Sequence, residues 1–180
     1  LYILRSLLQT RRKHNLPSWA LFVDLEKAFD TVRHELLFEL LEIYGIPEDM
    51  IKVIQRLYKN VMLKLNSGSA KDTIPYSVGV KQGGAMAPVL FIVLMQAMAE
   101  TLEEEWETAG IKSIDLCYFK DTPKHRGQMH GQAWNTKGTP FKINHILYVN
   151  VGMFVFDNKS DMIKGAEILR KHMAQFGLFM

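Results

Sequence analysis

An acid stands at the end of an apolar run. Leu21, Phe22 and Val23 lead into Asp24, and from Leu25 the apolar residues recur as Leu25, Ala28, Phe29 and Val32, the spacing of a helix. A strand that ends on an acid and bends into a helical turn holds that carboxylate at the strand's C-terminal edge, where α/β proteins keep catalytic or metal-binding oxygens. The same acid could equally cap the turn that follows. A second stretch, GVKQGGAMAPVLF at residues 79–91, surrounds Gln82 with Gly79, Gly83 and Gly84. Glycines let the backbone approach something closely, because a Cβ would block it. Cys117, His125 and His130 carry metal-ligand side chains, but no fourth ligand stands at a useful spacing for zinc. Basic residues gather at Arg11, Arg12 and Lys13, and again over residues 120–142, where Lys120, Lys124, Arg126, Lys137 and Lys142 face Asp121 alone. Such groups suit phosphate contacts; they equally suit a solvated helix end and loop.

The chain has 180 residues, 48% hydrophobic and 23% charged, with a net charge of +3. That is enough for a domain with a sizeable core, and the composition is that of a globular protein. The mild positive excess permits a polyanionic partner without demanding one. A single cysteine excludes an internal disulfide. No apolar run reaches the roughly 18 residues of a membrane-spanning helix; the nearest, residues 85–99, is interrupted by Gln96. The chain starts at Leu1, shows no targeting segment and is read as beginning mid-protein.

Periodicity supplies the elements that must hold these groups. Residues 2–15 are helical, and Pro17 stops them before a strand at 19–23. Thr31 is expected to cap a helix bearing Leu36, Leu37, Leu40, Leu41 and Tyr44, closed by Gly45. Pro47 opens a second helix, with Met50, Val53, Ile54, Leu57 and Tyr58 as its apolar face. Val61, Leu63 and Leu65 alternate as a strand, and residues 73–80 return as the other arm of a hairpin. Pro88 opens a buried helix to about Thr108, residues 111–119 form a strand, and 120–142 are a long loop or hairpin. Residues 143–156 are two short arms around a bend at 150–152, and Ser160 caps the last helix. This order predicts an α+β domain with helices packed on one antiparallel sheet.

Three motifs then carry a resemblance. FVDLEKAFDTV at 22–32, GVKQGGAMAPVLF at 79–91 and LYVNVGMFVF at 147–156 resemble three successive motifs of reverse transcriptases, most closely the non-LTR retrotransposon and group II intron types. The connecting YGIP and the closing FGL extend the likeness over residues 1–180. The resemblance implies a polymerase palm: a ferredoxin-like antiparallel sheet packed on helices, as a single domain with partial fingers, no thumb and a basic insertion at about 120–142. It implies nucleotidyl transfer with two Mg²⁺ ions held by carboxylates. By that resemblance Asp24 is the first-motif metal carboxylate, and the Leu25 carbonyl is a backbone ligand. Phe29 matches the aromatic residue beneath the incoming sugar. Gln82 and Gly83 match the loop against the incoming nucleotide and template-primer. Asp30 matches an acid of the subfamily that is not a principal metal ligand, and a helix cap is its expected role.

The third motif departs from the family. Where two adjacent aspartates are usual, Tyr148 and Val149 are followed by Asn150 and Val151, and neither brings charge. The expectation is therefore a retroelement-derived palm that has lost catalysis, needs no cofactor of its own and persists as a structural or binding subunit, with protein subunits or RNA and DNA as partners. The alternatives are an active RNA-directed DNA polymerase, and a nucleic-acid-binding module using Arg11, Arg12, Lys13, Lys124 and Arg126.

Overall fold

The computed structural model describes residues 2–68, 70–118, 129–130 and 139–180. In chain order the elements begin α1 (Tyr2–Lys13), β1 (Trp19–Asp24), α2 (His34–Ile43), α3 (Glu48–Tyr58), β2 (Met62–Ser67) and β3 (Ala70–Pro75). They continue α4 (Ala87–Thr108), β4 (Ile114–Tyr118), β5 (Met129–His130), β6 (Thr139–Ile143), β7 (His145–Tyr148), β8 (Val151–Phe156) and α5 (Lys159–Gln175). The α+β class and antiparallel pairing are as expected. The strands, expected in one sheet, form three among the described residues: β1-β8-β7, β2-β3 and β5-β4-β6. No helix of the described residues is long and apolar enough to cross a membrane.

The chain divides into two compact units, Leu1–Asp24 with Glu103–Leu169, and Leu25–Leu102 with Arg170–Met180. Each is assembled from separated stretches, so neither boundary shows as a break in composition.

In the first unit β8 lies between β1 and β7, with Asp24 opposite Val151 and Trp19 opposite Phe156. Its run Gly152–Phe156 is buried throughout, as a central strand covered on both faces must be. On one face Phe154 and Phe156 meet Trp106 edge-on, with centroids 5.6 and 5.3 Å away. On the other, Met153 and Val155 pack with Leu7 of α1 and with Ile114 and Leu116 of β4. The hairpin turns at Val149 and Asn150, not at 150–152. Gly152 serves packing instead: a Cβ there would come within 3.0 Å of the Phe154 ring. Asn158, not Ser160, caps α5, its Oδ1 accepting from the Asp161 N–H at 2.8 Å.

His145 of β7 donates from Nδ1 to Asn144 Oδ1 at 2.8 Å and lies 3.3 Å from Glu103 Oε1. Burial pushes its pKa below the ordinary 6.5 and outweighs the pull of Glu103, so the contact is one of a neutral ring. A histidine held neutral by the fold binds its proton more readily in the unfolded chain. Stability is therefore full above the ordinary value and falls as pH drops below it, until the folded pKa is passed. Urea unfolding should show this loss between about pH 7.5 and pH 5.5, and His145→Gln should flatten it.

In the second unit, residues 25–32 carry helical spacing yet form turns, with Lys27 at φ +47°. Their backbone groups find partners far along the chain. Glu26 N donates to Phe179 O, Gly79 N to Val32 O and Val80 N to Phe29 O. Thr31 caps nothing; its hydroxyl donates back to Ala28 O, and α2 opens at His34 without a side-chain cap. In α3 the buried face is Ile51, Ile54 and Tyr58, which leaves Met50, Val53 and Leu57 exposed rather than in the core.

Candidate active site

Antiparallel register sets the site in the first unit. Asp24 ends β1, and its cross-strand partner is Val151, the first residue of β8. Tyr148, the last residue of β7, pairs with Val151 from the other side. Asn150, in the turn between them, donates from Nδ2 to Asp24 Oδ1 at 3.0 Å. Residues expected near one another from motif order alone are thus brought together by two rungs of the sheet. Val149 holds φ at +54°, a conformation that glycine adopts freely and a β-branched residue does not, so the turn carries local strain.

Side chains alternate along a strand, so Phe22 and Asp24 share a face, and register places Val151 and Tyr148 on it too. Phe22 is 65% exposed and Tyr148 is 78% exposed. Two exposed aromatic rings on the face of the acid escaped the sequence reading. The signal for Phe22 was available in its two-residue spacing from Asp24.

In the second unit Phe29 stacks on Phe91, centroids 4.7 Å apart. Its carbonyl accepts from Val80, which ties the turn after β1 to the glycine-rich stretch. Gln82 donates from Nε2 to Asp30 Oδ1 at 3.0 Å, and His34 Nε2 donates to the Gly79 carbonyl at 2.6 Å. Asp30 therefore anchors Gln82 and caps no helix. Gly83 has φ +78° and open space around its Cβ position, and Leu25 is buried.

The family model described as reverse transcriptase (RNA-dependent DNA polymerase) matches residues 2–180. This chain belongs to the reverse transcriptase family. Its curated relatives are of the non-LTR type. Over 100 residues it is 31% identical to the retrovirus-related Pol polyprotein from type-2 retrotransposable element R2DM of Drosophila melanogaster, covering 54% of this chain and 9% of that polyprotein. Over 93 residues it is 30% identical to the Pol polyprotein from type-1 retrotransposable element R2 of Popillia japonica, covering 49% of this chain and 15% of the relative. The chain thus spans less than a fifth of either relative. Among solved structures, apo telomerase from Candida tropicalis superposes with a TM-score of 0.62 at 14% identity, over 99% of this chain and 32% of that one. That likeness shows the fold.

Reverse transcriptase chemistry raises the question of two divalent ions. The end of β1 and the facing hairpin tip offer one carboxylate, an amide whose N–H already faces it, and an aliphatic side chain. Hard divalent cations want several oxygens with negative charge, and this set does not fit a pair of them. No group of three or more His, Cys, Asp or Glu that could hold a metal occurs among the described residues. Of the zinc candidates, Cys117 is buried in β4, and His125 lies outside the described residues.

Of the basic candidates, Arg11 is withdrawn from any nucleic-acid face. It is 4% exposed, and its guanidinium donates to Ser18 Oγ, the Pro17 carbonyl and Asp157. Arg12 and Lys13 are exposed, whereas Lys124 and Arg126 lie outside the described residues, as does most of the basic stretch 120–142.

Proposed function

We propose that this reverse transcriptase domain binds nucleic acid or protein partners without adding nucleotides. The observation that carries this reading is the Asn150 amide hydrogen-bonded to Asp24, in the position where the family places a second carboxylate. The pairing satisfies Asp24 with a neutral donor, so the acid needs no cation beside it. With the aspartates of the third motif absent, metal-assisted phosphoryl transfer loses the ligands that align its reacting oxygens, and several kcal/mol of barrier lowering with them. Strand binding is favoured by Phe22 and Tyr148, since exposed rings beside a shallow face are stacking platforms for unpaired bases.

The experiment is extension of a primed RNA template with Mg²⁺ or Mn²⁺, alongside strand binding across a salt series. No extension is expected, and binding should weaken steeply with salt and further on Phe22→Ala with Tyr148→Ala. Extension that disappears in Asp24→Asn would overturn the reading.

A further inference from the structure

The second unit contains a cavity of about 310 Å³ lined by Leu57, Tyr58, Val61, Tyr76, Lys81 and Met86, the rest of its wall being glycine and alanine. That size is at the lower end of small-molecule sites, roughly 300–1,000 Å³. Tyr58 is only 9% exposed, and its ring sits edge-on to His34, yet its hydroxyl has no hydrogen-bond partner among the described residues. Buried hydroxyls almost always have one, because leaving them unpaired costs stability. Tyr76 adds a second phenol. Burial, with Asp30 and Tyr58 nearby, holds its pKa above 10, so it remains a neutral donor. Among the described residues of the lining Lys81 brings the only charge, and Ala87, where the 22-residue α4 begins, puts a helix's positive end at the wall. Among the described residues no carboxylate or amide side chain lines the cavity. Two phenols and the Lys81 ammonium therefore line an apolar space, with the Asp30 carboxylate near Tyr76 outside the lining.

We propose that this cavity binds a compact amphipathic anion, its aryl or alkyl body against Leu57, Val61 and Met86 and its carboxylate or phosphate head accepting from Tyr58, Tyr76 and Lys81. The site uses none of Asp24, Asn150, Val151, Phe29, Gln82 or Gly83, but Lys81 and Met86 belong to the glycine-rich motif at 79–91, so its test reads ligand binding and not nucleotide addition. An unpaired phenol kept in a cavity is a cost in the free protein that a bound acceptor removes.

The test titrates the 180-residue chain with 2-naphthoate, 2-naphthyl phosphate and neutral 2-naphthamide by calorimetry. Saturable one-to-one binding of at least one anion is expected, about tenfold tighter than the amide, and the stronger anion identifies the natural head group. Tyr58→Phe should weaken the anion about tenfold while leaving Tm unchanged or raised, because the deleted hydroxyl has no partner in the free protein. Lys81→Gln, at an exposed position that folding tolerates, should weaken the anions and spare the amide. Absent binding, equal affinity for all three probes, or a Tyr58→Phe variant that melts several degrees lower would overturn the proposal. The last would mean that the hydroxyl is structural.

Discussion

Asn150→Asp combined with Val151→Asp is expected to create a divalent-ion site that the parent lacks. Asn150 Nδ2 lies 3.0 Å from Asp24 Oδ1, and Val151 faces Asp24 across the strands, so both new carboxylates arrive beside the existing one. Without a cation, three neighbouring acids repel. At an exposed site each close pair costs about 1 kcal/mol, and the lost amide hydrogen bond costs about as much again. The double variant should therefore melt several degrees below the parent in EDTA. Adding Mn²⁺ should reverse the loss, with a Kd at or below about 1 mM. Free ion at about a hundredfold over Kd returns about 2.7 kcal/mol. The parent should show neither calorimetric binding nor a Mn²⁺-dependent melt, and Val151→Asp alone should bind more weakly than the pair. A double variant indifferent to Mn²⁺ would mean that the hairpin tip and Asp24 do not form the site described.

Gly79→Ala is expected to destabilise the protein by about 2–4 kcal/mol, lowering Tm by about 5–15 °C. Gly79 holds φ at +97°, and an added Cβ would stand 2.8 Å from Tyr76 Oη and 3.0 Å from the Cα and carbonyl oxygen of Asp30. The tyrosine hydroxyl can swing aside. The Asp30 backbone cannot, because its N–H donates to Lys27 O and the carbonyls flanking it, of Phe29 and Val32, accept from Val80 and Gly79. Gly68 is the control: its φ is +61°, and nothing lies within 4 Å of its Cβ position. Gly68→Ala should cost only the backbone term, about 1 kcal/mol. Thermal and urea unfolding of both variants measures the difference. Equal losses would show that the close approach at Gly79 carries no weight. Because the same contacts hold Phe29 and Gln82, the Gly79 variant should also loosen the Phe29–Phe91 stack.

Residue order alone determined a good deal of this protein. The segments at 22–32, 79–91 and 147–156 carried the resemblance to the reverse transcriptase family, because their order, spacing and surrounding elements agree with its successive motifs. That Tyr148 and Val149 are followed by Asn150 and Val151, with no acid among the four, was visible in the same way. Tertiary structure decided which backbone groups pair and which side chains are covered. Residues 25–32 have helical spacing, but their N–H and C=O groups are taken by Gly79, Val80 and Phe179, so they turn instead. Arg11 reads like its neighbours Arg12 and Lys13, yet it alone is buried against Asp157. The Asn150–Asp24 hydrogen bond spans 126 positions of chain and exists because antiparallel register sets Val151 opposite the acid. Local order specifies what each segment can do; burial and register, which depend on distant residues, select which of those options the chain takes.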